Sequence, residues 1–146
     1  MMKKSALFAL ACAVTSPTLV DAQSTRRERF TLPVAQLTDT TFEIIEADGA
    51  GGQQIWCGAG IYVRRVLGLR GGELFISEGR GPSKTQPGRK SVVFSITPVP
   101  NAFDSTSPGV RRAGKSFSMT HAFALCSEMP FVRLRTENGQ LIRRGI

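Results

Sequence analysis

A phosphate-binding pattern is the sharpest motif in the chain. Residues 109–116 read GVRRAGKS and match the G-x-x-x-x-G-K-S pattern of nucleotide-binding P-loops. In a P-loop a buried strand enters the loop and a helix leaves it, so that backbone amides surround the phosphates. Residues 101–108 do not read as a buried strand, and the residues after Ser116 alternate like a strand rather than a helix. We therefore interpret the pattern as a chance match and predict no nucleotide cofactor.

His121 is the only histidine, so any histidine-dependent triad or metal site would have to use it. It alternates with Phe117, Met119, Phe123 and Leu125, which is typical of one apolar face of a strand. We therefore interpret His121 as a structural, hydrogen-bonded residue and predict no metal site. The alternative is a small periplasmic hydrolase that relies on His121 for proton transfer.

Three acidic side chains, Glu43, Glu46 and Asp48, lie close together in the sequence and suggest an acid–base or calcium site. Their spacing fits neither an EF-hand loop nor another metal-binding motif. The chain also has no G-x-S-x-G nucleophile motif. We expect these carboxylates to be solvated at a strand edge, and we predict no catalytic residues.

A basic loop is a better candidate for a site. Arg80, Lys84, Arg89 and Lys90 lie in a segment with glycine and proline, which we expect to form a mobile hairpin loop. Cations beside exposed backbone amides can bind phosphate or carboxylate groups, and arginine suits bidentate contacts. The loop has no aromatic residue on which a base could stack, so nucleic acid is a poor fit. The competing interpretation is a hairpin tip whose charges serve solubility alone.

Arginine pairs recur along the chain, and Arg64, Arg65, Arg111 and Arg112 are secondary candidates for anion binding. The formal net charge of the whole chain is +8. A basic protein outside the cytoplasm meets anionic lipid headgroups, cell-wall polymers and acidic protein surfaces, which are the partners we expect. The alternative is that the arginines form a solvated face with no partner.

The first 22 residues have the organisation of a secretory signal peptide. Lys3 and Lys4 form a charged start, residues 6–14 supply an apolar run, and Val20-Asp21-Ala22 resembles a small-residue cleavage site. We predict cleavage after Ala22 and a periplasmic or secreted location. The apolar run is shorter than the ~20 residues that a membrane-spanning helix needs, and no later segment comes close.

Residues 23–146 suit one domain with one hydrophobic core, which we expect to follow a flexible arm over residues 23–29. Apolar residues at helical spacing predict one main helix over 53–67. Gly58 and Gly60 each lower its helix propensity by ~1 kcal/mol relative to alanine. Glycine at these two positions is expected if this face of the helix packs closely on a sheet.

Most of the remaining chain reads as strands. Strands are predicted at 42–46, 73–77, 91–97, 131–136 and 140–144, the last two joined by a two-residue turn at Asn138-Gly139. Residues 116–126 alternate between large and small side chains and are predicted as a further strand, although Met119, Ala122, Phe123 and Cys126 also fit a helical period. The predicted fold is α+β, an antiparallel sheet of about five strands with one main helix packed on a face.

The chain has three cysteines, and the predicted signal cleavage would remove Cys12. The remaining two, Cys57 and Cys126, do not have C-x-x-C spacing and would lie in an oxidising compartment. An even count in that setting predicts one structural disulfide, here between the helix and the sheet. Because the bond closes a long loop, the chain-entropy model gives a stabilisation of roughly 4 kcal/mol.

Three short stretches carry a resemblance to other proteins: Trp56-Cys57-Gly58-Ala59, Arg64–Gly68 and Gly79–Ser83. Through them the region from Phe42 to Pro98 resembles small exported proteins of alphaproteobacteria. The resemblance implies a bacterial, periplasmic setting and transfers no chemistry to individual residues.

These observations together lead us to expect an exported, non-enzymatic envelope protein that binds an anionic ligand or partner through arginine-rich surfaces. A third possibility is an inhibitor of a cell-wall lytic enzyme. The positive charge counts against it, because many such enzymes are themselves basic and like charges repel.

Overall fold

An eight-stranded mixed sheet is the framework of the protein, which we describe from a computed structural model for residues 30–128 and 131–145. The predicted signal peptide and the arm over 23–29 lie outside the described residues. The strands are β1 (Thr31–Gln36), β2 (Thr41–Ile45), β3 (Glu73–Pro82), β4 (Lys90–Ser95), β5 (Phe103–Asp104), β6 (Lys115–Ser118), β7 (Arg133–Arg135) and β8 (Leu141–Arg143). The helical elements are α1 (Gly52–Ile61), a π-helical turn (Tyr62–Val66), α2 (Met119–Ala124) and a 3₁₀ turn (Leu125–Glu128).

The sheet order is β5-β6-β3-β4-β2-β1-β7-β8. Strand β1 pairs in parallel with β7, and β5 pairs in parallel with β6, while the other neighbours are antiparallel. The α+β class is therefore confirmed, but an antiparallel sheet of about five strands is wrong. Strands β1 and β5 were missed, since β5 has only two residues and β1 carries a proline, which weakens a strand signal.

Helix α1 is enclosed on more than one side, because Ile55–Ile61 are all buried. Toward the sheet, a Cβ on Gly58 would lie 3.2 Å from side-chain atoms of Leu32 and Leu134. On another side, a Cβ on Gly60 would lie 2.5 Å from the backbone nitrogen of Phe123. The helix at 53–67 is confirmed, with its last turn π-helical, and its two glycines fit against the sheet and against α2.

Residues 116–126 change from strand to helix at Ser118. The Ser118 hydroxyl accepts a hydrogen bond of 3.0 Å from the His121 amide, which caps α2. The predicted strand is therefore wrong beyond residue 118, and the helical alternative describes the rest. Ala122 is fully buried, and its backbone would be 2.8 Å from a Cβ on Gly60. The small residues allow α1 and α2 to pack closely against each other. In the sequence, their spacing resembles the alternation of large and small residues in a strand.

The predicted disulfide between Cys57 and Cys126 is confirmed. Its sulfurs are 2.10 Å apart, its Cα atoms are 4.9 Å apart, and the bond spans 69 residues of sequence. Both cysteines are fully buried. The bond joins α1 to the 3₁₀ turn after α2, so the expected link from helix to sheet is replaced by a link between helical elements.

The predicted hairpin at Asn138-Gly139 joins β7 and β8, but its turn is longer than two residues. The Thr136 amide donates to the Gln140 carbonyl at 2.9 Å, which encloses three turn residues. Gly139 closes the turn with φ +82°, a backbone conformation that favours glycine.

Aromatic rings connect α1 to the middle of the sheet. The Trp56 ring stacks on Phe117 of β6 at 4.3 Å and meets Phe94 of β4 edge-on at 5.0 Å. Tyr62 contacts Phe42 of β2 at 4.3 Å between centroids. The core thus fixes α1 over β2, β4 and β6.

We expect Gly60→Ala to destabilise the protein by about 1–3 kcal/mol, because the new methyl group meets the backbone of α2 and the two helices must separate. Urea unfolding measures the change. Gly71→Ala is the control, since no atom lies within 4 Å of the position of its Cβ, and a change within about 0.5 kcal/mol is expected. Equal stability of the two variants would contradict the close contact between α1 and α2.

Candidate functional site

The loop between β3 and β4 is built around the carboxylate of Glu43, which is fully buried. The hydroxyls of Ser83 and Ser91 donate to it at 2.9 and 2.7 Å. The amides of Lys84 and Thr85 donate at 2.9 and 3.0 Å, and the Thr85 hydroxyl adds a fifth hydrogen bond. This carboxylate therefore fixes the path of the loop.

The expectation that three acidic residues are solvated at a strand edge is wrong for Glu43. Glu46 forms an ion pair with Arg80, and a carboxylate oxygen of Asp48 accepts from the Thr31 amide at 2.9 Å. The donors to Glu43 come from 40 to 48 residues further along the chain, so local sequence gives no sign of them.

Two opposing effects act on the pKa of Glu43. Desolvation raises it, while hydrogen bonds from Thr85, Ser91, the Lys84 amide and Ser83 lower it. The hydrogen bonds outweigh desolvation, and the pKa lies below the ordinary value of a glutamate. The group is therefore a carboxylate at neutral pH.

Most cations of the predicted basic loop have partners within the protein. Arg80 donates to a carboxylate oxygen of Glu46 at 2.8 Å, which raises the pKa of Arg80, and Lys84 pairs with Glu78 at 2.7 Å. Arg89 donates to the Glu46 carbonyl at 2.6 Å, and Lys90 is exposed at the start of β4. The segment is thus an ordered hairpin end, and β3 extends into it as far as Pro82.

A cleft of about 350 Å³ brings together Arg80, Arg111, Arg112 and Lys115. Its remaining lining comes mainly from the start of α1 and the segment before β6: Glu46, Ala50, Gly51, Gly52, Ile55, Gly109 and Val110. Arg80 was predicted in the basic loop, and Arg111 and Arg112 were secondary candidates. Lys115 was noted only as part of the P-loop match. The structure places all four at one site.

Close backbone contacts form one wall of this cleft. The Arg80 amide donates to the Val110 carbonyl at 2.9 Å, which ties the segment before β6 to the far half of β3. A Cβ on Gly79 would lie 2.2 Å from the Arg111 carbonyl oxygen, and one on Gly52 would lie 2.2 Å from the Pro108 oxygen. Only glycine at 52 and 79 lets this segment lie against both β3 and α1.

The electrostatics of the cleft are dominated by positive charge. Lys115 is 8% exposed and donates to the Ser107 carbonyl at 3.0 Å. Burial lowers the pKa of Lys115, and the nearby charge of Arg112 lowers it further. The Arg112 guanidinium lies 4.6 Å from the centroid of the Phe103 ring. Glu46 is the single carboxylate of the lining, and Arg80 already pairs with it.

The start of α1 adds to the positive potential. The first turn of this ten-residue helix carries no acidic side chain, so nothing there offsets the positive end of the helix dipole. The Gly51 amide is already satisfied by the side-chain oxygen of Gln54 at 2.9 Å. The helix therefore contributes to the cleft through its dipole, and the guanidinium groups supply the directional donors.

Arg64 and Arg65 do not join this cleft. They lie in the π-helical turn at the other end of α1, where the Arg64 guanidinium is 4.4 Å from the centroid of Phe123. Arg65 donates through Nε to the Arg144 carbonyl at 2.7 Å. Of the candidate cations, Arg80, Arg111 and Arg112 therefore lie at the cleft, Arg64 and Arg65 lie at the other end of α1, and Lys84, Arg89 and Lys90 stay in the β3–β4 hairpin outside both groups.

His121 is exposed on α2 and not on the apolar face of a strand, because the chain has become helical there. Its ring packs edge-on against Phe117 at 4.7 Å, in a shallow pocket shared with Glu73, Asp104 and Ser116. The Ser116 hydroxyl donates to Asp104 at 3.0 Å.

The P-loop match lacks the geometry of that motif. Lys115 and Ser116 open strand β6, so a strand leaves the loop where a P-loop has a helix. Among residues 30–128 and 131–145, no three histidine, cysteine, aspartate or glutamate side chains gather as metal ligands do. Within the same residues, no helix combines the length and apolar character needed to cross a membrane.

We expect Glu43→Gln to destabilise the protein by about 2–4 kcal/mol at neutral pH, because its amide nitrogen would face hydrogen-bond donors in a buried site. A depressed folded-state pKa stabilises the fold above the ordinary pKa of 4.5, and this contribution is lost as pH falls through the lowered value. The stability difference between wild type and variant should therefore shrink on acidification. Urea unfolding at a series of pH values measures it.

Glu78→Gln is the matched control, because Glu78 also belongs to this hairpin but its side chain is half exposed and pairs with Lys84. We expect it to change stability by less than about 0.5 kcal/mol. A Glu43→Gln protein as stable as the control, or a difference independent of pH, would contradict the role of Glu43.

Comparison of the chain with protein-family models, with curated proteins and with solved structures finds no match.

Proposed function

We propose that this is an exported, non-enzymatic protein that binds a small oxyanion, of the phosphate or carboxylate class, in the cleft between α1 and β3. The observation that carries the proposal is the convergence of Arg80, Arg111, Arg112 and Lys115 on one cleft at the positive end of α1. These side chains come from β3, from the segment before β6 and from β6 itself. Because the fold brings four like charges together, their mutual repulsion lowers the stability of the folded state. An anion bound there offsets that repulsion.

The shape and the donors of the cleft suit a small molecule. Its volume of about 350 Å³ falls in the range of small-ligand sites, and Ile55 and Val110 give it an apolar wall. Arg111 and Arg112 are exposed, which leaves their planar guanidinium groups accessible for bidentate contacts with a phosphate or carboxylate. We infer a ligand with an anionic group near these arginines and an apolar part against the wall.

The predicted export fits this function. Buried disulfides persist in oxidising compartments, and the bond between Cys57 and Cys126 supports a periplasmic or secreted location. The signal-peptide pattern of residues 1–22 and the resemblance to exported alphaproteobacterial proteins support the same location. The arginine-lined cleft would then face solutes and envelope components outside the cytoplasm.

Titration of the exported protein with pyrophosphate and with citrate at low ionic strength tests the cleft. We expect calorimetric binding of at least one probe, and a loss of about tenfold or more in affinity for the double variant Arg111→Gln/Arg112→Gln. The matched control is Arg70→Gln/Arg135→Gln, which removes the same charge from exposed positions outside the cleft lining.

Retained affinity in the control and lost affinity in the cleft variant would support a localised site. Equal losses in both variants would show that net charge alone attracts the probes. Absence of binding to the wild-type protein would overturn the proposal.

A hydrolase that uses His121 is the second candidate, because His121 borders a pocket with Asp104 and Ser116. Its exposed ring packs on Phe117. We expect His121→Ala to leave the background rate of ester and phosphomonoester hydrolysis unchanged. A folded His121→Ala protein that loses measurable turnover would establish the enzyme instead.

A further inference from the structure

Lys115 places a primary amine in the wall of the arginine-lined cleft. The residue lines the cleft, is 8% exposed, and donates through Nζ to the Ser107 carbonyl at 3.0 Å. Gly109 lines the cleft beside it, and the atoms nearest to a Cβ at that position would be Lys115 Nζ at 3.4 Å and Ser107 Oγ at 3.7 Å. Glycine at 109 therefore leaves room for a methyl-sized group in contact with the amine.

The strand register brings Arg112 close to this amine. Lys115 of β6 pairs with Phe103 of β5, so the two side chains project to the same face of the sheet. The Arg112 guanidinium lies 4.6 Å from the centroid of the Phe103 ring, which orients it. A carboxylate bound by Arg112 would thus lie beside Lys115.

The surroundings of Lys115 favour its neutral form, which is the nucleophilic form of a lysine. Burial lowers the pKa of Lys115, and the charge of Arg112 lowers it further. Among the described residues that line the cleft, the one carboxylate is that of Glu46, which pairs with Arg80. A larger fraction of Lys115 than of an ordinary lysine is therefore uncharged at a given pH. Desolvation and a neighbouring cation activate lysines that form imines with carbonyl compounds.

We propose that Lys115 captures a small 2-oxo acid as a covalent imine, while Arg111 and Arg112 bind the carboxylate of that ligand. The inference rests on the proposed function, since the same arginines hold the anionic group, and it names the class of ligand. A 2-oxo acid carries its carbonyl carbon directly beside its carboxylate, which matches the closeness of Lys115 to Arg112. The apolar wall of Ile55 and Val110 accommodates the rest of the ligand.

The capture needs no oxidant or reductant. The Lys115 ammonium releases a proton to water, and the neutral amine adds to the carbonyl carbon, so that a carbon–nitrogen bond forms. The carbonyl oxygen takes one proton from the nitrogen and one from solvent, the carbon–oxygen bond breaks, and one water molecule leaves. The product is a protonated imine that keeps the single positive charge of the ammonium. Addition of water reverses the capture.

Reductive trapping tests the proposal. The exported protein is incubated with pyruvate and cyanoborohydride, which converts an imine into a stable secondary amine, and the labelled lysines are identified by peptide mass mapping. We expect Lys115 to be labelled about tenfold faster or more than Lys90, which is exposed at the start of β4, because the arginines hold the carbonyl beside the amine. Methyl pyruvate keeps the carbonyl but lacks the carboxylate, and it should label Lys115 no faster than Lys90.

The variant Arg111→Gln/Arg112→Gln should slow the labelling of Lys115 by about tenfold and shift its pH dependence to higher pH, because both the anchor and a neighbouring positive charge are lost. Labelling of Lys90 should not change. The matched control is again Arg70→Gln/Arg135→Gln, which should be labelled like the wild type. If the cleft variant does not fold, competition in the wild type replaces it, and pyrophosphate or citrate should slow labelling at Lys115 alone.

Two failures can be told apart. Calorimetric binding of pyrophosphate or citrate, together with labelling of Lys115 no faster than that of Lys90, would overturn covalent capture and leave the oxyanion cleft standing. Equal labelling of Lys115 by pyruvate and methyl pyruvate would also overturn it. Absence of both binding and selective labelling would overturn the inference together with the proposed function.

Discussion

The hydrogen bonding of the buried Glu43 carboxylate is the interaction on which the β3–β4 hairpin and the adjoining wall of the cleft depend. A charge removed from water is tolerated only when hydrogen-bond donors replace the solvent, and five donors from one loop and the adjacent strand do so here. If the loop moved away, the buried carboxylate would lose most of its hydrogen-bond donors. Because Arg80 lies on the strand that leads into this loop, the same carboxylate fixes where one wall of the cleft stands.

The positive charge of the chain is unevenly compensated. Around the β3–β4 hairpin, acidic side chains pair with lysine and arginine and serve local order. At the two ends of α1, arginines lie beside aromatic rings, Arg112 at Phe103 and Arg64 at Phe123. An aromatic ring orients a guanidinium group without neutralising it. The fold thus holds some cations against carboxylates and others against aromatic rings.

Sequence patterns predicted what depends on neighbouring residues. The period of α1 and the β-branched and aromatic residues of β2 and β4 are local signals. The disulfide was predicted from the two cysteines, of three in the chain, that the expected signal cleavage would leave. Glu43 was misassigned because its donors lie 40 to 48 residues away in the sequence. The helix at Met119 was only the alternative to a predicted strand, because its small residues suit both periods, and the contact that decides between them involves Gly60. Arg111 and Arg112 were found as basic residues, but only tertiary structure places them beside Arg80 and Lys115.

The burial of the Cys57–Cys126 bond imposes an order on assembly. Neither sulfur is reachable once α2 lies against α1, so a thiol-oxidising catalyst can act only while these helices are still apart. Covalent closure therefore precedes the final docking of the helical layer during maturation. After docking, the same burial keeps reductants away from the sulfurs, so the finished protein retains its cross-link when the redox potential around it changes.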